Sequence, residues 1–446
     1  MEAELRTPVR RPAPPAPVRR PVPPRRAALQ ELAVAAFQRA ETLFVIAALF
    51  LFSQALVPLL LESGGTSGGG EGYESNMTLR LMFASLHAGS LFLLLVHWRA
   101  GFAAAARHWP AAALVGLALA STYWSSAPDI TLRRSFAFLG TTAFGLLLAA
   151  RYDTRTLLLR VAAALGAAAV LSVVFAVALP AYGVDQLVHA GAWQGIYTEK
   201  NTLGQMMALS TVVFLILRPT LRRRWIGTAG ALLSIALVLL STSKSALVIL
   251  LVFGVLAALF RTLRLSYTLA VPIAIGFVLA GGSVAVWLAT NVESALLAMG
   301  KDPTLTGRTE MWATLIRSVA ERPWTGYGYS AFWLGWQGPS AKALAEIGWE
   351  TPGAHNGYLD LGLQLGVVGI AVFAAGFAFA LARSFTAVRE TRTPEGFWPG
   401  LYLAFMLVYN FTETMLATPN NIFWALYVAT VCSALLQRGG EGRVAA

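Results

Sequence analysis

The feature that most constrains this chain is a succession of apolar blocks that begins near residue 42 and runs almost to the C-terminus. A helix needs about 20 predominantly apolar residues to span the hydrocarbon core of a bilayer. Blocks of that order predict helices over 42–61, 79–97, 109–124, 134–150, 157–179, 201–217, 225–242, 244–260, 267–289, 358–382, 397–412 and 420–437. The fold class expected is therefore an all-α polytopic membrane protein with about twelve transmembrane helices. Composition argues against a soluble fold of the same length. Charged residues make up 13% of the 446 residues, against about a quarter in ordinary soluble domains.

Charge orients the helices. With the N-terminus in the cytoplasm, the inside segments collect 24 of the 34 Lys and Arg and 8 of the 22 acids, leaving 10 and 14 outside. This is a strong positive-inside pattern. A single missed helix would break the alternation, so both termini are expected in the cytoplasm. The formal charge of +12 then describes topology, and no nucleic-acid partner is implied.

The expected organisation follows. Residues 1–40 form a cytoplasmic tail, with eight prolines and six arginines between positions 8 and 26, and should be disordered. Residues 41–289 carry helices one to nine, 290–357 form one large outer loop, 358–437 hold helices ten to twelve, and 438–446 form a second cytoplasmic tail. A loop this long usually has a task. It holds Trp312, Trp324, Trp333, Trp336 and Trp349, five of the thirteen tryptophans. Arg308 to Glu321 reads as an amphipathic helix with Met311, Trp312, Leu315, Ile316 and Val319 on one face. Ser340 to Gly348 reads as a second short helix.

Several chemistries are poorly supported. One cysteine, Cys432, permits no disulfide framework and no cysteine metal site. There is no phosphate loop of the GxxxxGK[ST] type and no DxD pair. The polar residues that remain cluster at the outer helix ends, and ionisable groups at membrane depth point to function. Lys244 stands in Ser241-Thr242-Ser243-Lys244-Ser245 between two apolar blocks; it either faces an anion or snorkels to the interface. Lys200 and Asn201 open the sixth helix, whose N-terminal amides suit an anion, with Asn201 or Thr202 as its cap. Glu199 and Lys200 also suit a solvated pair. Arg308 offers a planar fork to phosphate oxygens, although spacing alone pairs it with Glu310. Arg133 and Arg134 are further outward cations. His355 sits in Ala354-His355-Asn356-Gly357-Tyr358-Leu359-Asp360, where the loop re-enters the membrane, and suits a general base. Glu413, in Asn410-Phe411-Thr412-Glu413-Thr414, can pair with one of the cations.

The ordered set Lys200-Asn201-Thr202-Leu203-Gly204, Ser241-Thr242-Ser243-Lys244-Ser245, Gly307-Arg308-Thr309-Glu310-Met311-Trp312, Pro323-Trp324-Thr325-Gly326-Tyr327-Gly328 and His355-Asn356-Gly357-Tyr358-Leu359-Asp360 resembles the O-antigen ligase and polymerase superfamily. The resemblance covers roughly residues 110–430 and is strongest to the exopolysaccharide polymerases. It implies a lipid-linked, GT-C-like glycosyltransferase of the bacterial inner membrane, with a helical periplasmic loop over the active site. It implies an undecaprenyl-pyrophosphate-linked glycan as donor, a lipid-linked glycan or lipid A core as acceptor, and neither metal nor cofactor. A chain-length regulator is a further partner of that class.

Carried onto this chain, the resemblance makes His355 and Arg308 the catalytic residues. His355 would deprotonate the acceptor, and Arg308 and Lys244 would face the pyrophosphate. Lys200, Asn201, Arg133, Arg134, Asn356, Tyr358, Trp312 and Glu413 would bind substrate. Two departures stand out: Lys244 replaces the arginine usual in ligases, and Thr198-Glu199 stands where the family often has glycine or histidine. The loop tryptophans, Tyr327, Tyr329 and Phe332 are candidates to stack on sugars or to pack the loop. The expected activity is polymerisation of lipid-linked repeat units with inversion at the anomeric carbon. The rivals are an O-antigen ligase, a protein O-glycosylating enzyme and, from another class, a lipid or solute transporter built on broken helices.

Overall fold

The computed structural model of the protein describes residues 25–60, 76–186, 189–262, scattered positions between 264 and 283, 308–391 and 393–433. Its compact units are Met1–Phe44 and Val45–Ala446. Among the described residues there is no β-strand, only the isolated bridges Val184–Trp193 and Leu334–Gln337. The main helices are α1 (Arg25–Phe52), α2 (Met77–Val96), α3 (Trp98–Arg107), α4 (Trp109–Ala120), α5 (Pro128–Arg151), α6 (Thr154–Ala178), α7 (Lys200–Leu217), α8 (Arg224–Leu240), α9 (Lys244–Thr262), α10 (Arg308–Glu321), α11 (Gly338–Ile347), α12 (Gly357–Glu390), α13 (Trp398–Tyr409) and α14 (Ile422–Val431).

Six described helices are long and apolar enough to cross a membrane, and α3 with α4, bent by 94°, form a seventh if taken as one broken span. The protein is a polytopic helical membrane protein. Eleven of the twelve expected segments fall on a helix; the ninth, 267–289, lies mostly outside the described residues.

Three expectations are corrected. Residues 25–40 are helical rather than part of the tail, because the prolines stop at Pro24 and an Ala-, Leu- and Gln-rich run follows. The stretch 98–107, expected as a connection, is a helix that buries Gly101 and Ala104 and exposes Trp98 and Phe102. Pro110 then starts α4 in a new direction, at the first turn, where a missing N–H costs nothing. The helix expected from residue 134 begins earlier, at Pro128, for the same reason.

The interior of the larger unit is built on α7 and α14. Every residue of α14 is buried. Trp424 packs on Phe138 and on Tyr427, ring centroids 5.0 Å apart in both pairs. Trp424 Nε1 donates to Thr142 Oγ1 at 2.9 Å and Trp398 Nε1 donates to Thr430 Oγ1 at 3.0 Å. Lipid tails are as apolar as these side chains, so close packing and interhelical hydrogen bonds hold the helices together.

The segment 308–357 caps one end of this unit. Helices α10 and α11 share a core of Met311, Leu315, Tyr327, Phe332, Ala343, Ala354 and Leu363. The last of these belongs to α12, so the cap and the membrane helix share one hydrophobic cluster. Helix α12 breaks at Gly366, whose φ of 62° and ψ of −163° suit only glycine. The backbone of the Pro323–Gly328 turn fills the break. Tyr327 N donates to Leu363 O at 2.8 Å, Gly328 N to Gln364 O at 3.1 Å, Val367 N to Pro323 O at 2.7 Å and Val368 N to Trp324 O at 3.2 Å. The groups freed by the break are thereby paired, as a low-dielectric setting demands.

A Cβ at Gly366 would lie 2.4 Å from the Trp324 backbone. Gly366→Ala is expected to lower stability by at least about 1–3 kcal/mol from the backbone strain alone. Thermal unfolding of the purified variant in detergent, compared with wild type, checks this; an unchanged midpoint would contradict it.

Candidate functional site

Three candidate residues, Arg308 and His355 from the two ends of the cap and Glu413 from the turn after α13, meet in one cluster. Asn356 caps α12, its Oδ1 accepting from Tyr358 N at 3.0 Å and Leu359 N at 3.2 Å. Gly357 N donates to Asn410 O at 2.8 Å. Trp312 Nε1 donates to Ala354 O at 2.8 Å, which ties α10 to the approach to the cap. Between these anchors His355 takes a left-handed backbone, φ 47°, a conformation that costs energy and gathers at functional sites. His355 Nδ1 lies 3.3 Å from Glu413 Oε2.

Glu413 is placed by a turn that Asn410 organises. Asn410 is fully buried; its Oδ1 accepts from Met415 N at 2.9 Å and Leu416 N at 3.1 Å, and its Nδ2 donates to Met406 O at 2.6 Å. Arg308, the first residue of α10, reaches the same turn: Nη1 donates to Thr412 O at 3.0 Å and Nη2 lies 4.0 Å from Glu413 Oε1. The expected pairing of Arg308 with its neighbour Glu310 gives way to this longer-range one. The side chains of His355, Arg308 and Glu413 remain 31%, 27% and 17% exposed, so each is open to a ligand.

A second cluster joins the starts of α7 and α9. Lys200 Nζ lies 3.5 Å from Thr242 Oγ1, and Ser243 Oγ donates to Asn201 Oδ1 at 2.9 Å. Gly204 lets the two helices approach, since a Cβ there would meet Ala246 at 2.8 Å and Ser243 at 2.9 Å. Lys200 and Lys244 are close enough to feel each other's charge. Asn201 or Thr202 was expected as the cap of α7, but Glu199 holds the cap position without a side-chain bond. Asn201 instead ties α7 to α9.

Glu199 links the clusters. The residue is exposed as a whole, yet neighbouring protein partly desolvates its carboxyl. That desolvation first, and the Glu413 carboxylate second, raise its pKa, while His355 and His189 act in the opposite sense.

Other candidates lie elsewhere. Arg133 Nε bonds back to Asp129 O within α5 at 3.3 Å. Arg134 is near enough to Tyr329 to act on its hydroxyl. Tyr358 donates to Leu407 O at 2.7 Å and packs on Phe411. Tyr327, Tyr329 and Phe332 are buried, so of the two roles open to them the structure selects packing. The Tyr327 hydroxyl is pushed up to about 12 by burial and by Glu321, to which it donates at 2.8 Å. Trp324, Trp336 and Trp349 are exposed. Ile316, read as part of the apolar face of α10, points outward. Among the described residues no group of three His, Cys, Asp or Glu is arranged to hold a metal ion.

Beside this bundle of apolar helices and its histidine–carboxylate–arginine cluster, residues 229–374 match the O-antigen ligase family. A similar protein is the exopolysaccharide production protein ExoQ of Rhizobium meliloti (strain 1021), 29% identical over 319 residues that cover 67% of this chain and 71% of that one.

The raised pKa of Glu199 carries a consequence for stability. A carboxyl that holds its proton more tightly when folded makes the fold less stable as pH rises through the ordinary carboxylate range. Glu199→Gln is therefore expected to raise the unfolding midpoint near neutral pH, with the gain disappearing at acid pH. Midpoints of both proteins across a pH series test it, and a gain that grows on acidification would contradict it.

Proposed function

We propose that the protein is an inner-membrane glycosyltransferase that polymerises undecaprenyl-pyrophosphate-linked repeat units at the periplasmic face, inverting and independent of metal. In this reading both termini are cytoplasmic, 41–289 and 358–437 are the membrane region, and 290–357 is the periplasmic cap. The observation that carries the reading is the meeting of His355, Glu413 and Arg308, all partly open to solvent.

The chemistry follows from that geometry. With Nδ1 protonated toward Glu413, the Nε2 lone pair of His355 is free to take the acceptor hydroxyl's proton. The acceptor oxygen bonds to the anomeric carbon from the face opposite the leaving group. The bond from that carbon to the phosphate oxygen breaks, and its electron pair leaves with the pyrophosphate. Arg308 stabilises the charge that develops there. Lys244, Lys200 and the amides opening α7 and α9 supply a second positive region for the rest of the diphosphate. Glu413 lies between Arg308 and His355 and holds their separation before substrate arrives. Asn201, Asn356, Tyr358, Trp312, Arg133 and Arg134 complete the proposed binding surface.

The similarity to an exopolysaccharide production protein favours a lipid-linked glycan as acceptor. The O-antigen ligase match keeps a second reading, transfer to lipid A core. Purified protein given lipid-pyrophosphate donor alone is expected to form longer lipid-linked chains. Transfer to core lipid with no chain growth would replace polymerase by ligase. His355→Ala is expected to lower turnover about 10²–10⁴-fold and Arg308→Ala about 10²–10³-fold, with both proteins folded. Wild-type turnover in both would refute the assignment. Activity is expected to persist in chelator; loss that a divalent ion restores would contradict metal independence.

A further inference from the structure

One buried carboxylate has no part in the chemistry above, yet touches both strands that carry it. Asp360, in the first turn of α12, is 3% exposed. Its Oδ1 accepts from Trp333 Nε1 at 2.7 Å, and Ala354 N donates to both of its oxygens at 3.3 Å. Its Oδ2 accepts from Thr414 Oγ1. Ala354 immediately precedes His355, and Thr414 immediately follows Glu413. Trp333 comes from the turn between α10 and α11. One side chain therefore ties together the cap, the approach to the base and the far side of its carboxylate partner.

A carboxylate is expensive to bury unless hydrogen-bonded. Asp360 forms no ion pair with Lys or Arg among the described residues, so these three donors carry its stabilisation. An Asp in this first turn is favoured by the helix N-terminus, but a helix-capping role alone would not turn both oxygens toward two separate loops. Asn356 already performs the capping.

We propose that Asp360 is a positioning residue for the transfer reaction: through Ala354 and Thr414 it sets the placement of His355 against Glu413. The proposal rests on the reading of His355 as the base. Asp360 neither touches substrate nor exchanges a proton. It holds two loop segments, which would otherwise drift independently, at the separation the 3.3 Å contact requires. Misplacement of a catalytic pair by about 1 Å costs on the order of 100-fold in rate.

Replacing Asp360 would remove three buried bonds at once, so Thr414→Val, which removes one and keeps the shape, carries the test. Wild type, Thr414→Val, Thr414→Ser and His355→Ala are purified into nanodiscs, and chain growth from the lipid-pyrophosphate donor is measured for kcat and KM. The expected result is a kcat about 10- to 100-fold lower in Thr414→Val with KM within about twofold of wild type, and near-complete rescue in Thr414→Ser, which restores the hydroxyl. An inactive His355→Ala together with a wild-type kcat in Thr414→Val would overturn the positioning role and leave the proposed function intact. A loss confined to KM, or Thr414→Ser as impaired as Thr414→Val, would overturn it as well. An active His355→Ala would overturn the proposed function and this inference with it.

Discussion

The cap depends on a break in a membrane helix and on what fills it. At Gly366 the backbone of α12 leaves helical geometry, and groups freed in a low-dielectric region must find partners. The Pro323–Gly328 turn supplies them from its own backbone. That contact needs glycine on both sides, because a Cβ at Gly326 would meet Leu363 O at 2.5 Å and one at Gly366 would meet Trp324. The cap is thereby fastened to α12 by main-chain hydrogen bonds as well as by the Trp333–Asp360 side-chain bond. Arg308 stands at the start of this cap and His355 near its end. A broken helix was a mark of the transporter reading, but here the gap is closed by protein backbone.

Electrostatics at this end of the bundle are set by few charges in close quarters. Glu413 lies between Arg308 and His355 and raises the pKa of Glu199. Lys200 and Lys244 repel each other at the starts of neighbouring helices. Asp185 acts on Lys200 in the opposite sense to Lys244. Holding like charges near one another costs stability.

Much of this was legible in the sequence, for reasons that are local. The apolar blocks mark helices because hydrophobic length is a property of consecutive residues. Arg308 to Glu321 is helical as the spacing of Met311 and Leu315 predicts, and both are buried. His355, Arg308 and Glu413 were each selectable as polar residues at helix ends. The errors share one origin: local pattern says nothing about which distant segment arrives. Asn201 resembles a cap but bonds Ser243, 42 positions away. Arg308 has Glu310 beside it in sequence, yet reaches the turn around Glu413. For Tyr327, Tyr329 and Phe332 the sequence left sugar stacking and packing both open, and burial of all three bears out packing.

The sequence by itself determined the membrane class, the positions of most helices and the short set of polar residues worth attention. Hydrophobic length and charge count are additive along a chain and need no fold to be read. Tertiary structure decided the break at Gly366, the pairing of His355 with Glu413 and the burial of Asp360 among donors from three segments. Each of these depends on the direction in which a backbone or side chain points after remote segments pack, and hydrogen bonding is short-ranged and directional.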